Sequence, residues 1–166
     1  MTARARRPVI GAGQARRANV RAAGYVGRLL ADRGAVILCG GRGGAMAAAC
    51  RVAAQRSGIS LGLLPGDDVL DANPHLAVAI PTGPGHARNA VVVLAGSAAG
   101  GTGTLSVIAP TPESGKRVIG LRTWEAHDAR DEPAAIRAAA SPQEAVDLAL
   151  GTGSLARTEE HDDRTD

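Results

Sequence analysis

The sequence predicts one α/β domain built on a doubly wound parallel sheet. Short apolar runs alternate with alanine-rich stretches of helical periodicity, which is the pattern of parallel strands joined by crossover helices. The clearest strand, residues 35–39, is apolar throughout, as a strand covered on both faces requires. Glycines follow it immediately, as at the strand-to-helix turns of this fold class. The length of 166 residues suits a single domain.

The other elements follow in order along the chain. Further strands are expected at residues 8–13, 59–64, 76–80 and 118–121, and helices at residues 15–33, 45–56 and 142–150. Gly34 suits the C-cap of the first helix. Ser141 suits the N-cap of the last helix, with Pro142 at its first position and Glu144 completing a capping box. Residues 91–94 are typical of a strand by propensity and fit one face of a helix equally well.

The two ends of the chain differ in charge from the body. Residues 1–28 hold seven arginines and no acidic residue. We expect a basic arm at residues 1–7, and a solvated arginine-rich face is favoured there over contact with nucleic acid or anionic lipid. Residues 151–166 turn polar and acidic and are expected to be disordered. The Rossmann-like domain therefore occupies residues 8–150.

Scarce residue types narrow the choice of partners. The chain has no Phe, one Tyr and one Trp, so small aliphatic side chains fill the core and stacking on single-stranded nucleic acid is not expected. Cys39 and Cys50 match no metal-ligand or redox spacing and are expected to be buried free thiols. The sequence contains neither a membrane-length apolar run nor an apolar signal region near its start, which predicts a cytoplasmic protein.

The strongest local signal for chemistry is the run after the strand at residues 35–39. Its members are Gly40, Gly41, Arg42, Gly43 and Gly44, and a helix follows. Glycine lets the backbone approach a phosphate closely, and the free N–H groups of a helix N-terminus attract negative charge. Arg42 could add a charged fork. The alternative is a tight turn that binds no ligand.

Known nucleotide and catalytic motifs do not match this chain. Met46 stands where the dinucleotide fingerprint G-x-G-x-x-G, counted from Gly41, needs its third glycine, so NAD is not indicated. Arg117 follows Gly115-Lys116 where a P-loop needs Ser or Thr. The chain has no G-x-S-x-G elbow, and its four histidines are scattered, so neither a hydrolase triad nor a metal site is expected.

A second glycine turn carries hydroxyl groups that could hold another phosphate. Its members are Gly100, Gly101, Thr102, Gly103 and Thr104. Between the two turns, Arg88 is a candidate phosphate clamp beside Asn89, although a lone arginine is often only a surface residue. Asp67 and Asp68 could accept hydrogen bonds from ribose hydroxyls, and ordinary turn chemistry explains them equally well.

Taken together, these motifs resemble the LOG-like Rossmann proteins, often named lysine decarboxylase-like, and within them the molybdenum cofactor carrier branch. In chain order they are Gly-Gly-Arg-Gly-Gly-Ala-Met, Leu-Pro-Gly-Asp-Asp, Ala-Asn-Pro, Ile-Pro-Thr-Gly, Ala-Arg-Asn, Gly-Gly-Thr-Gly-Thr-Leu-Ser and Gly-Lys-Arg-Val-Ile-Gly-Leu. The resemblance implies a doubly wound sheet, a ligand across the carboxyl ends of the strands, and a homo-oligomer, a dimer or larger.

The resemblance also bears on catalysis. LOG enzymes release the base from nucleoside monophosphates with an arginine, which Arg88 matches, and a glutamate in the pattern G-G-x-G-T-x-x-E. Val107 occupies the glutamate position here. The sequence departs from the LOG pattern in two further ways. Gly96-Ser97-Ala98-Ala99 replaces a β-branched strand, and prolines interrupt the helix expected after the second glycine turn.

These departures decide the function that we expect. A binding or carrier protein for a nucleotide or another phosphorylated small molecule, such as the molybdenum cofactor, is favoured. No cofactor is assigned with certainty, and the molybdenum cofactor or a nucleotide is the candidate bound ligand. The alternative is a nucleoside 5′-monophosphate phosphoribohydrolase of the LOG type. Before Gly100, either residues 91–95 supply the strand or only a vestigial strand remains.

Overall fold

A parallel sheet of seven strands organises the computed structural model, which describes residues 6–10, 13, 15–94, 98–100, 118–121 and 136–151. The strands are β1 (Arg6–Ile10), β2 (Val36–Cys39), β3 (Ser60–Leu64), β4 (Val78–Pro81), β5 (Ala98–Gly100), β6 (Val118–Leu121) and β7 (Ile136–Ala139). Their order across the sheet is β4-β3-β2-β1-β5-β6-β7, and all neighbours are parallel. Strand order thus reverses between β1 and β5, which makes this the topological switch point.

Four α-helices and two 3-10 turns lie within the described residues. The helices are α1 (Arg17–Asp32), α2 (Gly44–Ala54), α3 (Arg88–Leu94) and α4 (Pro142–Leu150), and the 3-10 turns are Val69–Asp71 and Gly85–Ala87. Helices α1 and α2 are the crossover connections from β1 to β2 and from β2 to β3. The doubly wound α/β class predicted from the sequence is confirmed. None of these helices is long and apolar enough to span a bilayer.

The main hydrophobic core lies between the sheet and helices α1, α2 and α4. Alternation along β2 sends Ile37 and Cys39 into this core, while Leu38 is buried on the opposite face. Alanines supply much of the helix surface in contact, which fits the scarcity of aromatic residues. Small side chains allow the helices to pack close to one another and to the sheet.

Glycine allows α1 and α2 to meet at van der Waals distance. A Cβ atom on Gly27 would lie 2.2 Å from the carbonyl oxygen of Ala49 in α2. A Cβ atom on Gly24, one turn earlier, would meet the Val52 Cγ2 atom at 3.2 Å. Backbone cannot yield as a side chain can, so Gly27 fixes the separation of the two helices.

Helix ends follow the expected capping chemistry. Helix α1 ends with Arg33 as its C-cap, and the next residue, Gly34, takes the left-handed conformation at φ 67°. The Ser141 hydroxyl accepts a hydrogen bond from the Glu144 amide at 3.2 Å, which confirms the N-cap of α4. The Glu144 carboxylate reaches back to the amide of Ala140 rather than to that of Ser141. An ion pair of 2.8 Å from Arg33 to Asp147 joins the end of α1 to α4.

Several expected boundaries shift by one to three residues. The bounds of the first strand need correction, and one strand was not expected at all. The first strand covers Arg6–Ile10 rather than residues 8–13, so it begins inside the segment expected to be a basic arm. Residues 91–94 are helical as part of α3. A three-residue strand, Ala98–Gly100, occupies the place beside β1, which agrees with the vestigial-strand alternative. Sequence reasoning missed β7 altogether. The terminal segment 152–166 lies outside the described residues.

We expect Gly27→Ala to lower the melting temperature by about 5 °C or more in thermal unfolding followed by circular dichroism. The gain in helix propensity is about 1 kcal/mol, whereas overpacking against immovable backbone costs more, of the order of 1–3 kcal/mol or above. The matched control is Gly24→Ala, whose new methyl group meets a movable side chain and should change the melting temperature by no more than about 2 °C. Equal behaviour of the two variants would contradict this packing.

Candidate functional site

The carboxyl ends of the parallel strands gather the candidate residues at one edge of the sheet. Residues 40–44 follow β2, Asp67 and Asp68 follow β3, and Arg88 and Asn89 begin α3 after β4. At the switch point, Ile10 pairs with Gly100 at the end of β5. Ligands of open α/β sheets bind at such an edge, beside the switch point.

The glycine loop, residues 40–44, has a buried half and an exposed half. Gly40 and Gly41 are buried, whereas Arg42 and Gly43 are exposed. Gly41 and Gly44 adopt left-handed φ angles of 74° and 67°. A Cβ atom on Gly41 would lie 2.5 Å from the Leu64 Cδ2 atom. Glycine is thus required both for conformation and for room at this turn.

The exposed half of the loop leads directly into the N-terminus of α2. Gly43 is the N-cap, and no side chain within the described part of the protein caps these amides. The first turn of α2 also lacks an acidic residue. Free N–H groups and the positive end of the helix dipole therefore face outward beside a residue without a side chain. This arrangement suits an anion such as phosphate.

Arg88 is the residue that the fold brings to this loop from farthest along the sequence. Its Nη2 atom donates to the carbonyl oxygen of Gly40 at 3.2 Å, and its Nη1 atom donates to the Asn89 Oδ1 atom. Only 9% of Arg88 is exposed. A Cβ atom on Gly40 would lie 2.6 Å from the Arg88 Nη2 atom, so the glycine makes room for the guanidinium.

The charge of Arg88 is not balanced by a carboxylate among the residues that the structure describes. Its Nε atom is buried and has no hydrogen-bond partner among the described residues. Burial lowers the pKa of Arg88, the nearby Arg42 acts in the same direction, and Cys39 opposes them. A guanidinium nevertheless stays protonated in proteins. An unpaired buried donor costs about 1–3 kcal/mol, and more if charged, and an anionic ligand would offset that cost.

The other polar candidates around the glycine loop, Arg42, Asp67 and Asp68, are exposed to solvent, and two of them bond to other residues. Arg42 forms an exposed ion pair of 2.7 Å with Asp71, so in this conformation its side chain reaches toward the 3-10 turn. The Asp68 carboxylate accepts from the Leu70 amide at 2.8 Å and caps the same turn. Asp67 is exposed. Turn chemistry thus accounts for Asp68, and the structure does not bring either aspartate into contact with Arg88.

Asn73 is a site residue to which sequence reasoning assigned no role. It is buried, and its side-chain amide donates to the carbonyl oxygens of Gly41 and Arg42. Its own backbone N–H donates to the Gly41 carbonyl oxygen at 2.9 Å. The signal in the sequence was an Asn-Pro pair in a turn after a strand, and such pairs usually indicate only the turn itself.

The two cysteines lie directly behind the glycine loop. Both are buried free thiols, as expected, and their Sγ atoms are 3.8 Å apart. The Cys39 Sγ atom accepts a hydrogen bond of 3.3 Å from the Gly41 amide. Hydrogen bonding to Cys50 and burial raise the pKa of Cys39. This thiol therefore stays protonated and holds the buried half of the loop.

Only the first residue of the second glycine turn lies within the described residues. Gly100 closes strand β5. Gly101, Thr102, Gly103, Thr104 and Val107 lie outside the described residues. Where side chains are described, no group of three or more His, Cys, Asp or Glu residues is arranged to hold a metal ion.

A doubly wound parallel sheet with a glycine loop at its carboxyl edge defines a Rossmann-like α/β protein. The chain belongs to the SLOG cluster4 family, which matches residues 7–146. An uncharacterized protein of Archaeoglobus fulgidus is 39% identical over 118 residues, which cover 69% of this chain and 78% of that protein.

Two solved structures are similar along nearly their whole length. The molybdenum cofactor binding protein of the phototrophic bacterium Rippkaea orientalis is 29% identical, with a TM-score of 0.78 over 91% of this chain and 98% of that one. The Moco carrier protein of Chlamydomonas reinhardtii is 26% identical, with a TM-score of 0.75 over 90% of this chain and 98% of that one. The predicted similarity to molybdenum cofactor carrier proteins is confirmed. Membership of the LOG-like proteins stays a prediction.

We expect Gly43→Val to abolish binding of a phosphate-bearing ligand while preserving the fold. The φ angle of Gly43 is −72°, and the atom nearest to an added Cβ is the Gly13 carbonyl oxygen at 3.8 Å, so the chain tolerates the side chain. An isopropyl group over the first amides of α2 would, however, keep an anion away. Calorimetry with AMP and inorganic pyrophosphate measures the affinity.

Gly66→Val is the control for the Gly43 variant. Gly66 lies on the neighbouring loop, and an added Cβ would have no atom nearer than 4.0 Å. This control should fold and bind like the unmodified protein. Unchanged affinity in Gly43→Val would rule out the N-terminus of α2 as the anion site.

Proposed function

We propose that this protein binds and carries a phosphorylated small molecule, with the molybdenum cofactor as its cargo. The observation that carries the proposal is the buried guanidinium of Arg88, which lacks a counter-charge in the described structure and lies against the glycine loop. The names of the similar solved structures support this cargo over other phosphorylated molecules.

The chemistry of the site fits the phosphate end of such a cargo. The first backbone amides of α2 supply neutral hydrogen-bond donors at the exposed half of the loop. Arg88 supplies positive charge at the buried half, where it bonds to Gly40. Hydrogen bonds from charged donors to phosphate are roughly twice as strong as neutral ones. The pterin end would extend along the carboxyl edge of the sheet toward the switch point.

A carrier is favoured over an enzyme because Val107 stands where the LOG pattern has its glutamate. Breaking an N-glycosidic bond builds positive charge on the ribose, and a nearby carboxylate stabilises that charge or moves the proton of the attacking water. Val107 does neither. Arg88 alone would bind the phosphate of the substrate equally tightly in the ground state and in the transition state. This gives binding without turnover.

We also propose that the protein is a cytoplasmic homo-oligomer. Val78 and Ile80 on the edge strand β4 are 46% and 40% exposed, and Val91 on α3 is 52% exposed. Exposed apolar side chains along an unpaired strand edge favour association with a second copy. The two free thiols at 3.8 Å, which are not bridged, fit a reducing compartment.

Native mass spectrometry after incubation with molybdenum cofactor released from a molybdoenzyme tests both proposals. We expect a complex larger than one subunit that retains one cofactor per chain, with molybdenum found in the protein fraction by elemental analysis. Arg88→Ala should lose the cofactor and keep the subunit count, because its charge serves the ligand. A monomer would refute the oligomer, and an unmodified protein that retains no molybdenum would refute the carrier.

The enzyme alternative is tested by following free base from AMP by chromatography. We expect release no faster than in the protein-free control. Base release that disappears in Arg88→Ala would replace the carrier with a phosphoribohydrolase.

A further inference from the structure

We propose that Asn73 is the positioning residue that holds the glycine loop in its anion-binding shape. The role of the loop rests on the proposed function, whereas the ordering of the loop by Asn73 does not. The segment that carries Asn73 connects β3 to β4, and Asn73 lies 32 residues along the chain from Gly41. Nothing in the helix-terminus chemistry of α2 requires this contact.

Asn73 meets the loop with both its backbone and its side chain. The Nδ2 atom donates to the carbonyl oxygens of Gly41 at 3.2 Å and Arg42 at 3.3 Å. The Asn73 backbone N–H donates to the same Gly41 oxygen. The Oδ1 atom accepts from the His75 amide at 3.2 Å, which fixes the rotation of the side chain. Only 7% of the residue is exposed, so water competes little for these bonds.

These contacts orient two N–H groups that a ligand would need. In a trans peptide the C=O and the following N–H point in opposite directions. Because the carbonyls of Gly41 and Arg42 turn toward Asn73, the N–H groups of Arg42 and Gly43 must point away from it. Arg42 and Gly43 form the exposed half of the loop, next to the free amides of α2. Asn73 thus sets the direction of two donors without touching the ligand.

Glycines alone would not keep this arrangement. Glycine has more backbone freedom than any other residue, so a loop with four glycines loses much entropy when it adopts one shape. The other side-chain tether on the exposed half, from Arg42 to Asp71, is about half exposed at both ends and contributes little. The Cys39 sulfur holds only the Gly41 amide in the buried half. Asn73 is the tether that reaches the exposed half from a buried position.

Only an amide side chain suits this position. It needs hydrogens for two carbonyl oxygens and an acceptor for the His75 amide, and asparagine has both. Pro74 follows and biases Asn73 toward extended backbone. An aspartate of the same size would keep the acceptor and place a carboxylate against two carbonyl oxygens.

The test compares Asn73→Asp and Asn73→Ala with Ser60→Ala in the otherwise unmodified chain. Ser60 is 1% exposed, and its hydroxyl donates to the His75 carbonyl oxygen at 3.2 Å, so it braces the same segment. Like Asn73, it also lies within hydrogen-bonding reach of the Cys50 thiol, but it forms none of the described hydrogen bonds to the loop itself. Two measurements are made on each variant. They are the ¹⁵N order parameters of the Arg42 and Gly43 amides without ligand, and retention of the molybdenum cofactor released from a molybdoenzyme.

We expect both Asn73 variants to lower the two order parameters from rigid values near 0.85 to below about 0.6. Cofactor affinity should fall by about tenfold or more, which corresponds to the loss of one or two hydrogen bonds that preorganise the site. Ser60→Ala should lower the melting temperature by a similar amount and leave the loop order and the affinity unchanged.

Each outcome decides one of the two claims. Loss of stability with unchanged loop order in both Asn73 variants would make the residue merely structural and overturn the proposal. If the unmodified protein retains no cofactor, the proposed function fails, and the order parameters still decide the role of Asn73. If Asn73→Ala does not fold, Asn73→Asp, which preserves size and the bond from His75, supplies the answer.

Discussion

The close passage of the glycine loop between its neighbours is the constraint on which the site depends. The chain leaves β2 and must turn into α2 within five residues while Arg88 lies against one side and Leu64 against the other. Side chains at Gly40 or Gly41 would displace those neighbours, and Gly41 also needs a left-handed backbone. Packing therefore demands glycine in the buried half of the loop. The same absence of side chains leaves the following amides open to an anion.

Arg88 carries a buried charge for which the described residues offer no counter-charge. The guanidinium is withdrawn from water by α3 and the glycine loop, and its described partners, a carbonyl and an amide oxygen, are neutral. Burial of an unpaired charge opposes folding. A protein that keeps such a group beside a loop of free amides gains stability when an anion binds, since the ligand stabilises only the folded form.

Much of the fold could be predicted because its signals are local. The apolar strand at Val36–Cys39, the glycines after it and the capping residues Ser141 and Glu144 each act within a few positions of the chain. The strand β7 was missed because Ile136–Ala139 reads Ile-Arg-Ala-Ala, which has neither β-branched enrichment nor clean alternation. It forms because β6 offers a parallel partner, and this tertiary contact leaves no trace in local propensity.

The sequence indicates the individual candidate residues at the carboxyl edge of the sheet, but it does not indicate their contacts. Sequence reasoning singled out the glycine loop and Arg88 as candidates, since glycine runs and arginines next to turns are visible locally. It assigned no role to Asn73, because an Asn-Pro pair looks the same whether its side chain faces solvent or a loop thirty residues away. It also could not foresee that Arg42 would pair with Asp71, because an exposed ion pair depends on where a later turn lies.

The most direct measurement of the central claim is an amide NMR titration of the ¹⁵N-labelled protein with the molybdenum cofactor, with inorganic phosphate as a minimal ligand. A ligand held by the loop and Arg88 shifts the amide signals of Arg42 to Met46 and the Arg88 Nε–H signal together, with one common affinity. Shifts confined to other parts of the molecule, or an Arg88 Nε–H signal that does not respond while the ligand binds, would contradict an anion site between the glycine loop and the buried guanidinium.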